Sequence, residues 1–206
     1  RTLRTNLQFA KVDGELKTIM YTSAGPAEGK SITIANTAVA IAQSGKKVIL
    51  LDCDLRKPVL HKIFNRKNHG ITNILVENLN IVDYIQDTDI ENLRLVTSGP
   101  IPPNPSELLG SQKMADMLAF LRGQADMILI DAPPVIAVTD ASVLASQVDG
   151  CTLVLGSGTV RPEMAQRAKE LLTAANGKIL GVILNRAEID DEHAYYYYYY
   201  GSDNKK

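Results

Sequence analysis

Apolar positions along this chain change their period from one segment to the next. Short runs rich in β-branched residues cover 18–22, 47–52, 94–97, 126–131, 151–155 and 178–184. Nearly every position in them is apolar, which predicts strands buried on both faces. Between the runs the spacing lengthens to three and four, predicting helices over 31–44, 106–122, 140–147 and 162–176, with an opening helix that runs through Leu7. In the 162–176 segment Met164, Ala168, Leu171, Leu172 and Ala175 form one stripe, Pro162 suits a first turn, and Gly177 suits the left-handed residue after a helix end. The segment from Ser31 differs, because Ile32, Ile34, Ala35, Ala38, Val39, Ile41 and Ala42 wrap most of its circumference and predict packing on several sides. Between His61 and Asn92 the pattern weakens to short helical pieces around Ile74 and over 81–85. Strands alternating with helices predict an α/β fold, a doubly wound and mostly parallel sheet with helices on both faces. Past Arg186 the periodicity ends, so 1–188 reads as one folded domain and 189–206 as a mobile extension.

The chain has 206 residues, with 22 basic and 23 acidic side chains and a net charge of −1. That length suits one domain with a substantial core. The charge balance supplies no overall basic field, so nucleic acid is not a predicted partner. No stretch approaches the ~18 consecutive apolar residues of a membrane span, and no secretory signal is visible. Cys53 and Cys151 sit in or beside apolar runs, which predicts buried, reduced thiols and a cytoplasmic setting. His61, His69 and His193 have no metal-ligand spacing.

The strongest chemical signal is SAGPAEGKS, placed between the first strand and the first long helix. A phosphate-binding P-loop asks for Gly, four residues, then Gly-Lys-Ser/Thr. Here Ala24 stands at the first position, with Gly29, Lys30 and Ser31 in place. Gly29 lets the backbone approach closely, the amides of Glu28, Gly29, Lys30, Ser31 and Ile32 line a concavity at a helix N-terminus, and Lys30 adds a point charge for the β- and γ-phosphates. The Ser31 hydroxyl suits a Mg2+ ligand. A glycine-containing turn that merely starts a helix is the bland alternative, and the order of strand, loop, GKS and helix weighs against it.

Two further strands end in acids: VILLDCDLRKP supplies Asp52 and Asp54, and MILIDAPP supplies Asp131. In a doubly wound sheet ligands bind beyond the carboxyl ends of the strands, so all three acids are expected to project toward the loop. Mg2+ takes octahedral oxygen ligands and keeps several waters, which suits Asp54 and Asp131. Each acid has a second reading as a helix cap.

With these motifs the chain resembles the bacterial tyrosine kinases that govern capsule and exopolysaccharide production, a branch of the P-loop NTPases. SAGPAEGKS is similar to that family's Walker A motif, ILLDCDLRKP to its Walker A′ and ILIDAPP to its Walker B. SGPIPPNPSELL, GVILNR and a terminal tyrosine cluster extend the likeness over nearly the whole chain. The resemblance implies ATP and Mg2+, with Lys30 on the phosphates, Ser31, Asp54 and Asp131 around the metal, Asp52 orienting the acceptor hydroxyl, and Asn185 and Arg186 near the adenine. It also implies a membrane-embedded adaptor that activates the kinase at the inner face of the cell membrane, and an opposing phosphatase. Arg1 and Arg4 match the arginines of a ring-forming Glu-x-x-Arg-x-x-Arg motif whose glutamate would precede Arg1, which leaves ring assembly open.

Tyr195, Tyr196, Tyr197, Tyr198, Tyr199 and Tyr200 are six of the eight tyrosines. Alone, the run reads as low-complexity tail or docking strip. Beside a phosphoryl-transfer site it reads as the acceptor, used in trans by a neighbouring subunit. Two other functions compete. One is an ATP-driven dimer switch of the septum-positioning or plasmid-partition kind, which carries an extra lysine at the position held here by Gly25. The other is a catalytically silent nucleotide-binding scaffold of a polysaccharide machine, against which stand the intact Lys30, Asp52, Asp54 and Asp131.

Overall fold

The computed structural model describes residues 16–187. The expected opening helix, Arg1, Arg4 and the six-tyrosine run lie outside them.

Six strands run parallel: β1 (Thr18–Ser23), β2 (Val48–Asp52), β4 (Leu93–Val96), β5 (Met127–Asp131), β6 (Gly150–Gly156) and β7 (Ile179–Asn185). A two-residue β3 (Gln86–Asp87) pairs antiparallel with β4 at one edge. The sheet order is β3-β4-β2-β5-β1-β6-β7. Every residue of β1, β2, β5 and β6 is buried, as unbroken apolar runs require when both faces of a parallel sheet are covered.

The covering helices are α1 (Lys30–Ala42), α2 (Leu60–Ile63), α3 (Ile71–Glu77), α4 (Pro105–Leu109), α5 (Gln112–Arg122), α6 (Asp140–Ala145) and α7 (Pro162–Ala174). On one face Ile34, Ala35, Ala38 and Ile41 of α1 and Leu60 of α2 pack on Ile19, Leu50 and Leu129. On the other, residues of α3, α5, α6 and α7 pack on Met20, Ile49, Ile128 and Leu153. Helices on both faces of a mostly parallel sheet match the doubly wound expectation.

Local departures have physical causes. The helix expected over 106–122 is two helices, because Gly110 interrupts it and Ser111 restarts it by accepting a bond from the Met114 amide at 3.2 Å. Pro105, not Ser106, opens the first of them. After α7 the left-handed residue is Asn176, at φ 57°, rather than Gly177. Gly177 serves close packing instead, since a β-carbon there would meet Ala145 Cβ and the Leu172 carbonyl at 2.9 Å. In α1 the buried surface is one broad face: Ile32 is 55% exposed, and Val39 is half-buried. α2 and β3, at four and two residues, are shorter than any periodicity can register.

Candidate active site

β1 ends at Ser23, and the chain turns through Ala24–Gly29 into α1. Gly29 holds φ 85° in the left-handed region, and a β-carbon on it would lie 2.1 Å from Asn185 Nδ2, so only glycine fits. No side chain caps the start of α1. Its first amides therefore form the anion-binding end expected of a phosphate loop.

Asp52 and Asp131 are register partners on the adjacent strands β2 and β5, and both are fully buried. Asp54 follows two residues beyond β2 and is buried as well. Lys30 Nζ lies 3.0 Å from Asp54 Oδ2 and 3.0 Å from Asp131 Oδ1, and 3.2 Å from Ser31 Oγ. Lys30, Ser31, Asp54 and Asp131, proposed from three separate stretches of sequence, thus meet at one point. Asp52 has a double position. Its Oδ2 accepts bonds from the Val59 and Leu60 amides at 3.2 and 3.0 Å, so the capping alternative is realised on that oxygen. Its Oδ1 is buried without a partner, as is Asp131 Oδ2.

Three buried carboxyls surround one ammonium, and the titration of the cluster reflects that imbalance. Burial, reinforced by the charge of Asp131, pushes the Asp52 carboxyl up to about 8. Burial also pushes Asp131 up, against the attraction of Lys30. For Lys30, Asp131 and Asp54 together outweigh the cost of burial and raise its value. A site with excess buried acid, two unpartnered carboxylate oxygens and a serine hydroxyl fits a hard, oxygen-seeking dication. Among the described residues no group of three or more His, Cys, Asp or Glu side chains is gathered to hold a metal by itself. The fit is therefore to an ion that takes few protein ligands and keeps water, as Mg2+ does.

Asn185 ends β7 beside the loop, and Arg186 follows it. The Asn185 amide donates to the Glu28 carbonyl at 3.0 Å, so it braces the loop from behind. Arg186 lines a cavity of about 480 Å³ with Gly25, Pro26, Ala27, Glu28, Thr159, Val160, Arg161 and Met164. This cavity adjoins the phosphate loop and has the apolar side chains a nucleobase needs.

Two features escaped the sequence reading. Arg56 forks onto the fully buried Asp140, with Nε and Nη2 at 2.9 and 3.0 Å from the two carboxylate oxygens, and Ser106 Oγ donates to the same acid. The acid-bearing loop after β2 is thereby clamped to α6, and through Asp140 to the first turn of α4. In sequence Asp140 looks like an ordinary first-turn acid, and only the fold brings Arg56 to it. The second feature is the buried Glu28 side chain. Of the tyrosines outside the terminal run, Tyr21 is fully buried, and burial raises its hydroxyl to about 12. It is no acceptor. Tyr84 is half-buried.

The ParA family profile, described as a NUBPL iron-transfer P-loop NTPase, matches residues 16–205. Tyrosine-protein kinase YwqD of Bacillus subtilis is 45% identical over 196 residues, covering 95% of this chain and 83% of that protein. Among solved structures, the kinase domain of Escherichia coli tyrosine kinase ETK superposes with a TM-score of 0.86 at 33% identity, over 91% of this chain and 76% of that one. The septum site-determining protein MinD of Pyrococcus horikoshii, complexed with Mg-ADP, superposes less well, with a TM-score of 0.71 at 25% identity over 84% of this chain and 72% of that one.

Proposed function

The chain belongs to the bacterial tyrosine-protein kinases within the ParA-type P-loop NTPases, and from that premise we propose that it transfers the γ-phosphoryl group of ATP to tyrosines, its own terminal cluster among them. The observation that carries the reading is Lys30 Nζ at 3.0 Å from both Asp54 and Asp131, which brings the phosphate loop and the acids at and just beyond the strand ends to one point. The kinase's relatives include proteins named for capsule synthesis, such as CapB of Staphylococcus aureus at 44% identity, and this supports a role in capsule or exopolysaccharide production.

In this reading the first-turn amides of α1 and Lys30 hold the phosphates, the cavity beside Arg186 takes the adenine, and Ser31, Asp54 and Asp131 hold Mg2+. When bound, the metal supplies electrostatic stabilisation of charge on the transferring phosphoryl oxygens. Asp52 keeps the acceptor hydroxyl in line and receives its proton late. An ordinary aspartate near 3.9 would face a tyrosine near 10 across about six pH units, or roughly 8 kcal/mol. With Asp52 raised to about 8, the gap narrows to about two units, roughly 3 kcal/mol. Burial thus shifts Asp52 toward its phenol, and Mg2+ held by the neighbouring Asp54 and Asp131 would draw it part of the way back.

The partners follow the same reading: a membrane-embedded adaptor that brings the kinase to the inner face of the membrane, an opposing phosphatase, and self-association through the segment bearing Arg1 and Arg4. No helix among the described residues is long and apolar enough to cross a membrane. The dimer-switch alternative has the poorer superposition and lacks its lysine, because Gly25 stands there. Incubation with Mg2+ and ATP followed by mass spectrometry of residues 189–206 tests the assignment. Phosphotyrosine in wild type and its loss in Asp52→Asn are expected; an unmodified wild-type tail with ATP turnover intact would favour the switch.

A further inference from the structure

We propose that the Glu28 side chain is a positioning residue for the phosphate loop, tying it to the ends of β6 and β7 in the shape that receives a nucleotide. The inference rests on the reading of Ala24–Gly29 as the nucleotide cradle, and goes beyond the backbone role expected of Glu28. A carboxylate has the wrong sign for an anion site, so its presence there needs a reason. The residue is 5% exposed. Both carboxylate oxygens are occupied: Oε1 accepts the Gly25 amide at the start of the loop, and Oε2 accepts the Gly156 amide at the end of β6, at 2.9 Å. Its carbonyl accepts from Asn185 at the end of β7. One residue therefore joins both ends of the loop to two strands, and the two bonds to its carboxylate are charge-assisted and of the stronger kind.

Several consequences follow from this arrangement. The Gly25 amide is engaged by Glu28, which leaves the amides that follow Glu28 to carry the anion. Glu28 also stands at the seam between the cradle and the cavity lined by Thr159, Val160, Arg161 and Arg186, so a shift of the carboxylate moves both. A loop fixed before binding has less order to lose on binding, and this is the source of the expected affinity. A simple charge argument gives the opposite sign, since removing a negative group from an anion site should tighten phosphate binding.

The opposed signs make the test decisive. A fluorescent ATP analogue with Mg2+ is titrated against the full chain as wild type, Glu28→Ala, Glu28→Gln and Lys30→Met, with KM for ATP, kcat and thermal unfolding measured in parallel. Glu28→Ala is expected to weaken nucleotide binding by roughly ten- to a hundredfold, the scale of stranding buried hydrogen-bond donors, and to raise KM proportionally more than it lowers kcat. Glu28→Gln falls between, because its amide oxygen accepts one amide and its NH2 cannot accept the other. Should Glu28→Ala fail to fold, Glu28→Gln carries the test. Unchanged or tighter binding in the folded variants overturns the positioning role while leaving the cradle intact. Wild-type protein that binds no nucleotide, or binds it equally well as Lys30→Met, overturns the cradle reading itself.

Discussion

Lys30 Nζ and Asp131 Oδ1 lie 3.0 Å apart, although 101 residues separate them in the chain. Both are buried, and Asp54 closes on the same ammonium. Removing the ammonium strands buried carboxylates, a loss on the order of 3–5 kcal/mol. Lys30→Met is therefore expected to lower the thermal midpoint of nucleotide-free protein, and adding Asp131→Asn to recover part of that loss, with a coupling of about 0.5–3 kcal/mol. Thermal unfolding of the two single variants and the double variant measures it. Strictly additive losses would show that the pair does not act as a unit.

Asp52 gives the site a pH signature. Its folded-state value, raised by burial and by Asp131 to about 8, lies above the ordinary 3.9 of the unfolded chain. The folded protein therefore keeps a proton that the unfolded chain releases, and this stabilisation is complete below about pH 4 and lost as pH rises to about 8. The slope from this one group is about 1.4 kcal/mol per pH unit inside that window. Asp52→Asn has no such proton and should flatten the stability profile there. Activity runs the other way, since only the ionised acid can take a proton: kcat/KM should climb with pH toward 8, and Asp52→Asn should lose roughly 10²–10⁴-fold. An Asp52→Asn enzyme with the wild-type rate and pH profile would remove Asp52 from proton transfer.

What the sequence discloses depends on how local the cause is. The strands of 127–131 and 150–156 are legible because a strand buried on both faces must be apolar throughout, and the glycine and lysine of the phosphate loop are legible because their chemistry depends on local order. Asp52, Asp54 and Asp131 are legible through one rule about strand ends. The Arg56 to Asp140 pair spans 84 residues and the Glu28 to Gly156 bond spans 128, and no local pattern marks either. Ser106 illustrates the ambiguity: it stands at the start of the helix expected over 106–122, yet its hydroxyl serves Asp140. The Gly177 expectation failed for a related reason. Asparagine also tolerates the left-handed conformation, so Asn176 takes the turn and the glycine is required by Ala145, a neighbour from another helix.

The fork from Arg56 to Asp140 fixes the loop that carries Asp54. Lysine cannot reproduce two parallel bonds to one carboxylate, so Arg56→Lys leaves the fully buried Asp140 poorly paired. A stability loss of about 1–3 kcal/mol is expected, together with a higher Mg2+ concentration for half-maximal activity because Asp54 loses its anchor. Thermal unfolding and a Mg2+ titration check the two parts. An unchanged Mg2+ requirement would show that Asp54 holds its place without the clamp.

As the proposed acceptor, the tyrosine run has to reach an active site, and its length bears on whose. From Glu188 to Tyr200 the chain spans twelve residues, an extended reach of up to about 40 Å. That length allows delivery to an adjacent subunit, and each phosphate added brings about −1.5 to −2 charges, or roughly −9 to −12 for six. Such a load should drive subunits apart by like-charge repulsion, so modification is expected to weaken self-association as it proceeds. Mixing Lys30→Met, which cannot hold the phosphates, with a chain truncated after Glu188, which has no acceptor run, separates donor from acceptor. With ATP present, phosphate is expected on the Lys30→Met tail, at a rate that rises with the concentration of the truncated partner. A tail that stays unmodified at every ratio, while wild-type protein modifies itself independently of its concentration, would place the transfer within one chain.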